Sequence, residues 1–226
     1  MPKNNIKAVI FDIDGVLIDV SSSYRLAIKK TAEFFLGKIL SMEDVEAVKN
    51  RGINDDHDAA EILITENGGD FRKKVIVKKF QEYYLGRNME GFVRNEKCLI
   101  KEDTLKKLKG YKLGIFTGRP KEEAFYGLKR FKIDKYFDAV AVMEDVKEGK
   151  PSPEGILKLA KEFKAGNKEI IYVGDNLSDL RCAKNAGVGF IGVIPPNVNG
   201  DYLNGLFKSE GAEIVIKDVN EIIKRI

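Results

Sequence analysis

Two aspartates separated by one residue, Asp12 and Asp14, follow a short apolar run and precede a glycine. The run predicts a buried β-strand over residues 8–11, and side-chain alternation at its end turns both carboxylates toward one face. Ligands of parallel sheets bind at the carboxyl ends of the strands. Two like charges are tolerable there if a cation lies between them, although a solvated Asp-Gly turn would explain the pair equally well.

Three further segments place reactive side chains after predicted strands. FTGRP contains the Thr117 hydroxyl and the Gly118 amide, which could hold phosphate oxygens. GKPSPEG contains Lys150, a compact positive charge suited to a phosphoryl group, and YVGDNLSD contains Asp175 and Asp179. Taken singly, each has an ordinary explanation as a helix cap, a surface charge or an acid that favours a helix N-terminus.

The four segments together favour one chemistry. They come in the order acid pair, hydroxyl, lysine and acid pair, and all fall at the carboxyl ends of predicted parallel strands. Such a set of acids, one cation and one hydroxyl suits a hard divalent ion, because Mg²⁺ prefers oxygen ligands and bridges to phosphoryl oxygens. The pattern therefore indicates a site for Mg²⁺ and phosphate.

The elements that must position these groups alternate along the chain. Beyond residue 101, apolar runs alternate with helical patterns, which predicts an α/β fold with a parallel sheet and helices on both faces. Ser152 is expected to cap a helix that begins with Pro153 and continues to Phe163, and the next helix is expected to begin at Ser178 and end at Gly187. The predicted strands cover residues 8–11, 112–116, 139–142, 170–173, 189–194 and 213–216.

Residues 21–95 differ from the rest of the chain. They contain no convincing strand, and apolar stripes at helical spacing predict a small four-helix bundle inserted after the first strand. The predicted helices cover residues 22–36, 42–50, 55–66 and 71–85. We therefore expect a catalytic core of residues 1–20 and 96–226, and a helical domain of residues 21–95.

Composition excludes several classes of protein. The 39 basic and 35 acidic residues are mixed along the chain, whereas nucleic-acid binding requires clustered Lys and Arg. No apolar run reaches the length of a membrane span and no secretory signal is visible, so we expect a cytoplasmic protein without membrane partners. Cys98 and Cys182 have no metal spacing and are expected to be free and buried. Abundant Lys and Glu lean toward a thermophilic source.

In its ordered motifs, the chain resembles the haloacid dehalogenase-like hydrolase superfamily. The resemblance implies a Rossmann-like core and a phosphorylated aspartate as the reaction intermediate. Asp12 would be the nucleophile and Asp14 the general acid and base. Thr117 and the Gly118 amide would hold the phosphate, and Lys150 would stabilise its charge.

The same resemblance implies a Mg²⁺ cofactor. Its ligands would be the Asp12 side chain, the Asp14 main-chain carbonyl and Asp175. Asp179 would orient this shell and pair with Lys150. The helical insert would be a cap that covers the phosphate site and excludes water when it closes.

Positions 14, 24 and 179 narrow the expected activity. An aspartate at position 14 resembles phosphatases and phosphomutases rather than dehalogenases. The branch nearest in appearance contains phosphoglycolate phosphatase-like and beta-phosphoglucomutase-like proteins. Its mutases carry a histidine where this chain has Tyr24, and they usually lack the second acid that is present here as Asp179. We therefore expect a phosphatase acting on a small phosphorylated metabolite, with a phosphomutase as the alternative.

Two non-enzymatic classes fit the sequence less well. A phospho-acceptor signalling domain of the receiver type is about half this length, carries its phosphorylated aspartate alone at a later strand, and lacks both the D-x-D motif and the helical insert. A binding protein that has lost catalysis would not keep the expected residue at every catalytic position. A single core with its own cap predicts a monomer, with a dimer as the open alternative.

Substrate specificity is expected from the helical insert. Lys49 and Arg51, in the segment VKNRGIND, are the first candidates for contacting a polar leaving group, and Arg25 and His57 are weaker ones. Arg119, beside the phosphate-holding turn, is a further candidate for substrate binding. A solvated basic loop would explain Lys49 and Arg51 equally well.

Overall fold

The computed structural model describes residues 6–49, 51, 53, 55–196 and 198–226. The chain divides into two compact units. One comprises Met1–Asp19 and Cys98–Ile226, and the other comprises Val20–Lys97. The first unit contains the main sheet, and the second is built from helices.

A six-stranded sheet forms the centre of the first unit. The strands of the chain are β1 (Ala8–Phe11), β2 (Ile18–Asp19), β3 (Lys97–Cys98), β4 (Lys112–Phe116), β5 (Ala139–Ala141), β6 (Ile170–Gly174), β7 (Gly189–Val193) and β8 (Ile214–Ile216). The main sheet has the order β5-β4-β1-β6-β7-β8, and its pairs are parallel. β2 and β3 form a separate short pair. Every predicted strand is present with ends within one residue, so the predicted α/β fold is confirmed.

The central strand β1 is buried along its whole length. Ile10 is in register with Gly114 on β4 and with Tyr172 on β6. Ala8 and Ile10 belong to one core cluster together with Phe116 and Tyr172. The intervening side chains of β1 point to the opposite face because side chains alternate along a strand. Burial of an aliphatic side chain stabilises the fold by roughly 1.5–3 kcal/mol, so this strand is a rigid platform for whatever follows it.

Five α-helices accompany the sheet in the first unit, and four other α-helices form the second unit; these counts are of the described residues. The second unit contains α1 (Tyr24–Leu36), α2 (Met42–Lys49), α3 (Asp56–Glu66) and α4 (Lys73–Tyr84), and the first contains α5 (Glu102–Lys107), α6 (Lys121–Arg130), α7 (Glu154–Phe163), α8 (Leu177–Ala186) and α9 (Gly200–Ser209). In the second unit α1 packs against α3 and α4. The predicted last residue of α2, Asn50, lies outside the described residues. Among the described residues, no helix is both long and apolar enough to cross a membrane.

Several helices begin one or two residues away from the predicted start. α1 and α4 begin at Tyr24 and Lys73, two residues later than predicted. α7 begins at Glu154, one residue later than predicted, although Ser152 Oγ accepts a hydrogen bond from the Glu154 amide at 3.4 Å, as expected of a capping residue.

α8 is capped by Asn176, whose side chain accepts hydrogen bonds from the amides of Ser178 and Asp179, so Ser178 is already inside the helix. Asn and Ser are about equally good N-caps, so residue type alone does not show that the helix begins after Asn176 rather than at Ser178. Gly187 ends α8 with a left-handed conformation, as predicted.

The two cysteines differ in their surroundings. Cys182 is buried, and burial raises the pKa of its thiol to about 12. Cys98 is only partly buried, so the prediction that both thiols are buried was wrong for Cys98. Both thiols are free, as predicted.

Candidate active site

The predicted reactive groups meet at one edge of the sheet. β1 lies between β4 and β6, and parallel strands end at the same edge. Asp12 directly follows β1, Thr117 directly follows β4 and Asp175 directly follows β6. Three segments distant in sequence are therefore neighbours because of the strand order.

Lys150 joins two carboxylates at this edge. Its Nζ lies 2.9 Å from Oδ2 of Asp12 and 2.7 Å from Oδ1 of Asp179. The lysine side chain is 10% exposed, and the Asp12 and Asp179 side chains are 6% and 0% exposed. Burial acts to lower the pKa of Lys150, but the two carboxylates outweigh it and raise this pKa above its ordinary value. Lys150 is therefore a fixed cation held by charge-assisted hydrogen bonds.

Asp179 is surrounded by hydrogen-bond donors. Besides Lys150, its Oδ1 accepts a hydrogen bond from the Tyr172 hydroxyl at 3.0 Å. Its Oδ2 accepts hydrogen bonds from the amides of Asp175 at 3.1 Å and Asn176 at 3.2 Å. A carboxylate has about four lone-pair positions, so the protein itself satisfies this one. Asp179 holds Lys150 and the turn after β6 in place.

The cluster of Asp12, Asp175 and Asp179 has the chemistry of a cation site. Their carboxylate oxygens lie within 4.8 Å of one another. Burial raises the pKa of Asp12 well above its ordinary value; the charge of Lys150 acts against this rise, and Asp179 adds to it. One ammonium group shared by two carboxylates leaves a surplus of negative charge. Oxygen donors with such a surplus suit a hard divalent ion, so these residues fit the Mg²⁺ expected from the sequence.

The turn after Asp14 depends on a glycine. Gly15 has φ +68°, and a Cβ on it would lie 2.0 Å from Oδ2 of Asp175. The amides of Leu17 and Ile18 both donate to the carbonyl of Ile13, which closes the turn. Both the backbone conformation and the close approach of Asp175 therefore require glycine here.

A small cavity of about 120 Å³ adjoins the predicted phosphate-holding turn. It is lined by Phe116, Thr117, Gly118, Met143, Val146, Lys147, Gly149 and Lys150. Thr117 Oγ1 accepts a hydrogen bond from the Arg119 amide, so its O–H stays available as a donor. The cavity is smaller than the roughly 300–1,000 Å³ pockets that hold drug-sized ligands.

Asp14 and Arg119 form an ion pair. Nε and Nη2 of Arg119 lie 2.8 Å and 2.6 Å from Oδ1 of Asp14. The arginine side chain is 1% exposed, whereas that of Asp14 is 32% exposed. The structure thus brings Arg119 to the predicted acid and base.

The cap candidates have partners within the second unit. Three of the cations form ion pairs there: Lys49 with Asp56 at 2.7 Å, Arg51 with Glu66 at 2.6 Å and Arg25 with Glu46 at 2.7 Å. The His57 ring packs edge-on against Phe80. The role of these residues in substrate binding stays a prediction.

Two contributors to the site escaped the sequence analysis. The Tyr172 hydroxyl reaches Asp179, and the Asn176 side chain both caps α8 and donates to Oδ1 of Asp175 at 3.0 Å. Tyr172 lies within the predicted strand over residues 170–173. A polar hydroxyl on a fully buried strand needs a partner, and that was the available signal.

A family model supports the same class of protein. The model for haloacid dehalogenase-like hydrolases matches residues 9–193 and so includes all four motif segments. The chain belongs to this family, as its motifs predicted.

Curated relatives extend the match over most of the chain. Pyrophosphatase PpaX of Halalkalibacterium halodurans is 31% identical over 186 residues, which cover 81% of each chain. A protein of Caldanaerobacter subterraneus, named provisionally as the same pyrophosphatase, is 29% identical over 224 residues. That match covers 97% of this chain and 94% of the relative. Family and relatives together confirm an enzyme of the phosphatase class.

Solved structures share the fold. A protein of Thermotoga maritima, named provisionally as a beta-phosphoglucomutase, has 26% identity and a TM-score of 0.73, covering 97% of this chain and 98% of its own. A phosphoglycolate phosphatase of Haemophilus somnus, named from prediction, has 22% identity and a TM-score of 0.80, covering 99% of each chain. The second likeness concerns the fold alone.

Proposed function

We propose that this protein is a Mg²⁺-dependent phosphatase that hydrolyses a small phosphorylated metabolite through a phosphorylated Asp12. The main support is the placement of Asp12: its carboxylate lies 2.9 Å from the Lys150 ammonium at the sheet edge that also carries Thr117 and Gly118. A buried carboxylate beside a fixed cation can receive a phosphoryl group whose charge that cation offsets.

The reaction has two steps. First, an Asp12 oxygen bonds to phosphorus, the bond from phosphorus to the leaving oxygen breaks, and Asp14 gives that oxygen a proton. Then Asp14 takes a proton from water, the water oxygen bonds to phosphorus, and the bond to Asp12 breaks to release phosphate. Throughout, the Thr117 hydroxyl and the Gly118 amide hold the phosphoryl oxygens, and Lys150 offsets their charge.

Mg²⁺ is the proposed cofactor. The Asp12 and Asp175 side chains and the Asp14 carbonyl would hold it, and Asp179 would keep Lys150 and the Asp175 turn in place. When bound, the ion supplies positive charge to the phosphoryl oxygens and helps keep Asp12 ionised. Cytoplasmic location and a monomeric state belong to the same proposal.

The first substrate to test is inorganic pyrophosphate, because both curated relatives carry the name of a pyrophosphatase. Phosphoglycolate and hexose phosphates are the next candidates. The phosphomutase alternative is weaker, because Tyr24 stands where the mutases have histidine. The Tyr24 ring stacks on Tyr84 with centroids 4.1 Å apart, so it serves the packing of the second unit.

Phosphate release tests the proposal. With Mg²⁺ and a phenyl phosphate substrate, the wild type should release phosphate, and both a chelator and Asp12→Asn should abolish the release. Turnover retained by Asp12→Asn would refute the phosphorylated-aspartate mechanism. Conversion of a hexose 1-phosphate to the 6-phosphate without net phosphate release would favour the mutase instead.

A further inference from the structure

We infer that Arg119 is a positioning residue that holds Asp14 in its reactive orientation, and that it is not a contact for the substrate phosphate. The inference rests on the proposed role of Asp14 as acid and base. It replaces the expectation from the sequence that Arg119 touches the substrate.

The ion pair leaves one particular oxygen for proton transfer. Nε and Nη2 of Arg119 both donate to Oδ1 of Asp14, at 2.8 Å and 2.6 Å. Within the described part of the chain, Oδ2 of Asp14 has no hydrogen-bond partner. Two donors on one oxygen fix the plane of the carboxyl group and direct the other oxygen away from the guanidinium. Oδ2 is therefore the oxygen that gives and takes the proton.

Arg119 is itself held from several sides. Its side chain is 1% exposed, its amide donates to Thr117 Oγ1 at 3.1 Å, and its carbonyl accepts from the Met143 amide at 3.1 Å. A guanidinium this deeply buried is tolerated only when it is paired, and Asp14 supplies the charge. Arg119 therefore ties the acid and base to the Thr117 turn, so that proton donor and phosphate holder keep a constant separation.

Leaving-group dependence separates positioning from substrate binding. Phenol has a pKa of about 10, so the departing phenolate needs a proton, whereas dinitrophenolate is a far weaker base and leaves unprotonated. kcat/KM covers the steps up to release of the leaving group. Arg119→Lys replaces the planar guanidinium by a single ammonium group. For this variant we expect kcat/KM to fall about 100-fold with phenyl phosphate and little with 2,4-dinitrophenyl phosphate.

Two further variants complete the test. Asp14→Asn should show the same selective loss, and adding Arg119→Lys to it should cause no further loss. Arg130→Lys, the same exchange at the exposed end of α6, is the matched control and should leave both substrates unaffected. A partly unfolded sample lowers both rates alike, so the ratio of the two rates is not affected by folding. If the lysine variant does not fold, Arg119→Gln, which retains planar N–H donors, takes its place.

Different results would refute different claims. With rates normalised to the folded fraction, an equal loss with both substrates, or a raised KM with an unchanged ratio, would show that Arg119 binds phosphate and would overturn the inference. An unchanged rate for the arginine variant would also overturn it. Absence of any Mg²⁺-dependent hydrolysis by the wild type would refute the proposed function itself.

Discussion

Replacement of Lys150 by methionine tests how the site is held together. The substitution keeps an unbranched side chain, shorter by one atom, but removes the ammonium that bridges Asp12 and Asp179 at 2.9 Å and 2.7 Å. Both carboxylates are almost fully buried, so water cannot solvate their charge once the ammonium is removed. Breaking a buried ion pair on one side typically costs about 3–5 kcal/mol. Without metal, we expect the free energy of unfolding to fall by about that amount near pH 8.

The loss should depend on pH. Burial raises the pKa of Asp12 in the folded state, and Lys150 opposes that rise. A carboxyl with a raised folded pKa contributes stability that is complete below its unfolded pKa of about 3.9 and is lost as pH rises through the folded pKa. Removal of Lys150 raises the pKa of Asp12 further in the folded state, so the loss of stability continues to a higher pH. The stability deficit of Lys150→Met should therefore be smaller near pH 5 than near pH 8.

Urea unfolding of the two proteins in a chelator at both pH values measures the effect. The matched control is Lys158→Met, because Lys158 pairs with Asp145 at 2.6 Å while 45% exposed. An exposed pair is worth at most about 1 kcal/mol, so the control should lose little at either pH. A loss for Lys150→Met no larger than that of the control, or a deficit independent of pH, would refute this account of the charges.

Three other predictions follow from the site and the thiols. Gly15→Ala should reduce phosphatase activity and the unfolding temperature, since its Cβ would displace the Asp175 carboxylate; a variant with normal kinetics would contradict the assigned turn. Mg²⁺ should raise the unfolding temperature of the wild type by mass action, and Asp12→Ala should lose that rise; an equal rise in both would place the ion elsewhere. Iodoacetamide should modify Cys98 before Cys182, as measured by peptide mass spectrometry, because burial raises the Cys182 pKa to about 12. Faster modification of Cys182 would contradict its burial.

The positions of the strands along the chain were predictable from local pattern. Nearly continuous apolar runs such as 8–11 and 170–173 are typical of strands covered on both faces, and their carboxyl ends identified the site. Helix starts were harder, because Asn176 and Ser178 are both good caps and only the backbone path chooses between them.

The family resemblance implied the pair of Lys150 and Asp179 that the structure shows, whereas the partners of Arg119 and Arg51 were beyond the sequence. Arg119 lies beside the Thr117 turn in sequence, which suggested a phosphate contact, but its partner Asp14 is 105 positions away. The partner of Arg51 was equally hidden, because Glu66 lies 15 positions away at the end of α3. Local patterns report which residues share a face, whereas such ion pairs depend on how distant segments pack.

The central claim is that Asp12 carries the phosphoryl group, and trapping that intermediate tests it most directly. Enzyme and substrate are mixed in near-equal amounts with Mg²⁺, quenched within a turnover and reduced with borohydride, which converts an aspartyl phosphate to homoserine. Peptide mass spectrometry then locates the change. We predict homoserine at position 12, formed only with substrate. Homoserine at another aspartate, or none while turnover proceeds, would contradict the account.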